Sequence, residues 1–120
     1  MRIQYAVFCR EAELGPPIKI VSPVSAISAP VLPARVDLKL FITLLGGRDG
    51  EYTLGIIVKD SRGGATPIKR FASKWDKKFE HGKAGVLTLP VEIDSYGVYT
   101  FTLLVNGEPQ REIVVPVAKE

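Results

Sequence analysis

The sequence predicts an all-β chain, an antiparallel two-sheet β-sandwich of about seven or eight strands that spans residues 1–120 as a single domain. Three observations carry this. Seven apolar stretches alternate or run on at strand length, and none keeps the 3.6-residue period of a helix. Glycine, proline and Asn-Gly signals separate them at about the spacing that stacked antiparallel sheets use. The length of 120 residues, with 46% hydrophobic composition, holds one core but not two ordinary domains.

The first strand places Ile3, Tyr5, Val7 and Cys9 on one face and Gln4, Ala6, Phe8 and Arg10 on the other. Glu13-Leu14-Gly15-Pro16-Pro17 breaks the chain, and Ile18 to Val21 returns as a short partner joined by a hairpin. Pro23, Pro30 and Pro33 prevent a continuous ladder from Ser22 to Ala34, so this stretch is expected along an edge or as a crossover. Val36, Leu38, Leu40, Ile42 and Leu44 then alternate as the inward face of a central strand. Gly46 to Gly50 reads as a hairpin turn, followed by Tyr52, Leu54, Ile56 and Val58 pointing inward. Ser61-Arg62-Gly63-Gly64 is a second turn. Leu87, Leu89, Val91 and Ile93 alternate again, with Pro90 marking a strand that meets solvent or a bulge. Val98 to Val105, Asn106-Gly107 and Glu108 to Val117 form a hairpin, because Asn-Gly adopts the type I′ geometry that matches strand twist.

The segment from Asp94 to Phe101 resembles the corner before a late strand in immunoglobulin-like and fibronectin-like domains. The resemblance implies an immunoglobulin-like architecture in which the Tyr99 hydroxyl bonds to nearby backbone. Where antibody domains carry a cysteine, this chain has Phe101, so it resembles the disulfide-free members. The opening Met1 to Val7, the hairpin reaching Ile20, the approach to Val36-Asp37-Leu38 and the closing Gly97 to Phe101 with Asn106-Gly107 are also similar to an uncharacterised family of short bacterial all-β proteins, a domain of unknown function. That resemblance implies an intracellular sandwich of this length and brings no activity, cofactor or site residue.

Composition narrows the function classes. A net charge of +3 with 24% charged residues is neither a disordered tail nor a nucleic-acid coat. The apolar run Ile3 to Cys9 is too short for a signal-peptide core or a membrane span, and a single cysteine suits a reducing compartment, so a cytoplasmic location and no membrane partner are expected. One cysteine and one histidine, His81, do not make a zinc site. No G-x-S-x-G elbow exists, Cys9 has no evident activating base, and Gly46 to Gly50 lacks the G-K-[ST] ending of a phosphate loop. Asp37, Asp49, Asp60, Glu92 and Asp94 are the carboxylates that folding could pair as acid and base.

One segment stands out. Lys69, Arg70, Lys74, Lys77, Lys78 and Lys83 face only Asp76 and Glu80, so the fifteen residues from 69 to 83 hold a surplus of four positive charges and the rest of the chain is slightly acidic. Phe71, Trp75 and Phe79 recur at a spacing of four. A short amphipathic helix would bury these aromatics and leave the lysines in water. Alternatively, the lysines meet an acidic partner and an exposed Trp75 supplies contact area. The reading is a non-enzymatic binding or assembly module whose contacts lie in the loop from Arg70 to Lys83, at Arg70, Lys74, Trp75, Lys77, Lys78 and Lys83. No catalytic, metal or cofactor-binding residue and no cofactor is expected. The expected partner is a protein, with a polyanion or further copies of the chain as other possibilities. The competing readings are a carboxylate-based enzyme on a carbohydrate or nucleotide, and a structural subunit of a larger particle.

Overall fold

The computed structural model describes residues 1–15, 17–48, 50–76 and 82–119, with only the course of the strand given at 67–69. The described residues hold nine strands and no helix. They are β1 Arg2–Glu13, β2 Lys19–Pro23, β3 Ile27–Ser28, β4 Ala34–Leu45, β5 Gly50–Lys59, β6 Ala65–Trp75, β7 Lys83–Ile93, β8 Gly97–Val105 and β9 Glu108–Ala118. One sheet has the order β2-β1-β4-β7 and the other β3-β9-β8-β5-β6. Every pairing is antiparallel except β3 with β9, where Ile27 and Ser28 run parallel to Val117 and Ala118. The proline-bearing stretch therefore does cross from one sheet to the other, touching down on the edge of the second.

The core lies between the sheets. Leu38, Leu40, Ile42 and Leu44 of β4 meet Tyr52, Leu54 and Ile56 of β5 and Phe101, Leu103 and Val105 of β8 in one buried cluster. Phe8 and Phe101 join the sheets edge to face, with ring centroids 4.8 Å apart. Period-two alternation was legible here because alternate residues of β4, β5 and β8 form one apolar, buried row.

The face assigned to β1 is corrected. A register shift between Ile3 and Tyr5 inserts one residue, and a one-residue slip exchanges the two faces. Ile3 stays in the core, but beyond the bulge Phe8 points inward while Tyr5 is 45% exposed on the outer face. Arg111 and Gln110 of β9 hold the bulge. Ile3 N–H donates to Gln110 Oε1 at 2.7 Å, Gln110 Nε2 donates to Met1 carbonyl at 2.9 Å, and Arg111 Nη2 donates to the Ile3 carbonyl at 3.3 Å. Backbone groups freed by the bulge thus find partners from the opposite sheet.

The glycine-rich segment between β4 and β5 is also corrected. These strands lie in different sheets, so the connection is a crossover and not a hairpin. Gly46 supplies a positive φ of 71°, whereas Gly47 is needed for room: a Cβ there would lie 2.0 Å from the Trp75 ring. The C-terminal hairpin has the predicted turn, with Asn106 at φ 52° and Gly107 at φ 81°. The Asn106 side chain also accepts from Thr53 N–H at 3.0 Å, tying the turn to β5. Tyr99 is buried, and its hydroxyl donates to the Ser95 carbonyl at 3.1 Å, the local backbone bond expected of it.

Candidate functional site

The basic segment is neither helix nor loop up to Trp75. It is β6, the edge strand of the five-stranded sheet. The aromatic spacing of four that suggested a helix is equally a multiple of two, and pairing with β5 decides between them: Leu54 lies opposite Phe71, Tyr52 opposite Ser73 and Gly50 opposite Trp75. Phe71, Ser73 and Trp75 consequently point inward, and Arg70, Ala72 and Lys74 are exposed on the outer face. Trp75 is 4% exposed and packs edge to face on Tyr52 at 6.3 Å between centroids, so it is a core residue and not an exposed anchor. Of the six residues expected to contact a partner, Arg70 and Lys74 lie together on this edge, and Lys77 and Lys78 lie outside the described residues, as do Phe79, Glu80 and His81.

Lys83 opens β7, the edge strand of the other sheet, and is half-buried. Its position opposite Leu44 puts it on the inward row. From there its ammonium donates to Ser73 Oγ at 2.9 Å and to the Lys74 carbonyl at 3.1 Å, and it lies 5.1 Å from the Tyr52 ring centroid. Two sheet edges therefore face each other, with no further strand beside either among the described residues, and Lys83 bridges them at one end.

Between these edges is a cleft of about 230 Å³, walled by Phe71 and Leu87 and floored by Ile42, Tyr52 and Leu54. The missing side chain on its β7 wall is that of Gly85. The inward row of β7 reads Ile93, Val91, Leu89, Leu87, then Gly85, then Lys83, each opposite an inward residue of β4. Back from Leu87 this inward row holds Gly85 and Lys83, neither of which extends the apolar alternation, which is why hydrophobicity alone did not reveal the start of the strand.

The residues considered for chemistry are placed elsewhere. Cys9 is buried on the outer face of β1, its thiol donating to the Lys39 carbonyl at 3.7 Å. Burial pushes the thiol up from its ordinary value, against smaller opposing effects of the Phe41 backbone and Lys39. Asp60, Glu92 and Asp94 line a cleft of about 320 Å³ with Tyr99. Asp60 is engaged in its turn, where Oδ1 accepts from Arg62 and Gly64 N–H at 2.9 Å each. Asp94 Oδ1 lies 3.5 Å from the Tyr99 hydroxyl. Asp37 pairs on the surface with Arg35 at 3.8 Å, and Asp49 lies outside the described residues. Among the described residues no three His, Cys, Asp or Glu side chains are grouped to hold a metal, and no helix is long and apolar enough to cross a membrane.

No family model and no curated protein matches this chain. Its fold is similar to part of a solved structure, the alkylpurine DNA glycosylase AlkC of Pseudomonas fluorescens bound to DNA containing an abasic site analog. The TM-score is 0.54 at 13% identity, over 97% of this chain and 30% of the glycosylase. The chain thus spans less than a third of that enzyme's length, and at this identity the likeness concerns the fold alone.

Proposed function

We propose that the protein is a non-enzymatic, cytoplasmic binding module of immunoglobulin-like topology that captures an acidic protein segment at the β6 edge. The topology is supported by the parallel β3–β9 contact at a sheet edge and by the Tyr99 hydroxyl bonded to the backbone just before β8. A lone free thiol at Cys9 suits a reducing compartment.

The observation that carries the binding reading is the division of labour along β6. Phe71 and Trp75 secure the strand to the core, while Arg70 and Lys74 hold their charges in solvent on an edge that has no further strand beside it among the described residues. Cations on an edge disfavour pairing with an identical edge and favour an acidic one. A sheet edge and two to three cations are a small footprint for a polyanion, which favours protein over nucleic acid.

The test is capture from nuclease-treated lysate by the natural chain and by its Arg70→Glu/Lys74→Glu variant, each at low and high salt. Capture of a protein by the natural chain alone, weakened by salt, with the same melting temperature for both chains, supports the reading. Equal capture by both removes the β6 edge. Salt-sensitive binding of a single-stranded oligonucleotide, with no protein captured, replaces the acidic protein by nucleic acid.

A further inference from the structure

We infer that the partner binds by strand addition to β6, and that one apolar side chain of the added strand fills the cleft beside Gly85. This rests on the reading of β6 as the contact edge and specifies the ligand, an extended segment with acidic residues on one face and an apolar anchor on the other.

The inference starts from where the two edges are open. Pro67 and Pro90 have no N–H to offer, so they blunt β6 and β7 as pairing templates. Both lie toward one end: Thr66 and Pro90 line the same cleft, near Tyr99. The proline-free end of β6 flanks the other cleft, where Gly85 lies, and there the N–H and carbonyl of Thr53 both bond to Asn106, so Ala72 opposite it turns its backbone away from β5. Outward-turned backbone at Ala72 and unfilled apolar volume therefore coincide.

Gly85 makes the volume. Its backbone is not in the left-handed region, and a Cβ built on it would have only Ile42 Cγ2 nearby, at 4.0 Å, which is ordinary contact. Conformation and crowding do not demand glycine there, and a strand interior is an unfavourable place for one. The resulting space of about 230 Å³ exceeds the roughly 150 Å³ in which a benzene-sized group is held. A leucine or phenylalanine side chain fits, bounded by Phe71, Leu87 and the Ile42 floor.

Alternation in the added strand supplies the rest. Side chains of a strand beside β6 point by turns to the outer face, which carries Arg70 and Lys74, and to the inner side, which opens on the cleft. The first set is complementary when acidic and the second when apolar. A second copy of this chain does not meet the requirement, because antiparallel β6 strands would set Arg70 and Lys74 against their own counterparts.

An array of synthetic nine-residue peptides provides the probe, with glutamate alternating with valine and the central valine varied through alanine, leucine, methionine, phenylalanine and tryptophan. The natural protein is expected to favour leucine or phenylalanine over alanine at least tenfold, with amide-exchange protection appearing in β6. Gly85→Leu occupies the cleft and should lose that preference at least tenfold without a lower melting temperature. Gly85→Ala should shift the preference toward the smaller anchors. Unchanged anchor preference in Gly85→Leu overturns the inference; if Arg70→Glu/Lys74→Glu still weakens binding, the basic edge survives without the cleft. Binding of none of the peptides also overturns strand addition, leaving lysate capture to judge the edge separately.

Discussion

The two long sides of the sandwich are built differently. On one side, β9 reaches across to β1 through Gln110 and Arg111, the crossing segment pairs through Ile27 and Ser28, and the Tyr96 hydroxyl donates to the Ala29 carbonyl at 2.7 Å. These hydrogen bonds tie the two sheets and the crossing segment to one another. On the other side, β6 and β7 stand as separate edges with Lys83 between them and an apolar cleft beside it. Packing secures one side as well as the other, and the second sets two sheet edges beside an apolar cleft.

The largest test of this contrast is Trp75→Ala. If the β6 side is held by packing, loss of this buried indole costs about 3–5 kcal/mol in urea unfolding. A cost below about 1 kcal/mol would remove Trp75 from the core. Gln110→Ala addresses the other side, where two hydrogen bonds to the β1 bulge are lost; about 1–2 kcal/mol is expected, with amide exchange at Ile3 accelerated. No change at Ile3 would mean that the bulge holds itself.

Gly85→Ala should move the other way. The added methyl group enters open space in a permitted conformation, giving a gain of roughly 0.5–1 kcal/mol, and a loss would show that the cleft is closed in solution. The smallest structural effect is at Cys9. Its thiol should react with a disulfide reagent far more slowly in the folded protein than in urea. Because the folded state holds the thiol proton more tightly, the unfolded chain ionises first as pH rises. Stability is therefore retained below the ordinary thiol range and declines as pH rises through and above it. Cys9→Ala should flatten that decline, and an unchanged slope would assign it to other groups.

Much of the sandwich was legible because alternation reports which face is dry. Leu38 to Leu44 and Tyr52 to Ile56 were placed correctly on that basis, and Asn106-Gly107 specified its own turn. What alternation cannot report is a change of phase or of sheet. The bulge at Ile3 reverses β1 without any glycine or proline to announce it. The strand after Gly50 would alternate in the same way whether it returned in its own sheet or crossed to the other. At the candidate site, charge identified Arg70 and Lys74, but a spacing of four fits both a helix turn and alternate strand positions, so pairing with β5 had to assign Trp75 to the core. Gly85 was invisible for a further reason: its contribution is an absent side chain, recognisable only once Phe71 and Leu87 stand around it.

The contact of Gly47 with Trp75 binds two positions that lie far apart in the chain into a single unit of inheritance. The indole lies where a Cβ on residue 47 would be, so neither position is free to drift alone. Among descendants of this fold, a side chain at 47 should accompany a smaller residue at 75. Such a paired exchange would mark the places where evolution has rebuilt the end of the β6 edge, and with it the choice of partner.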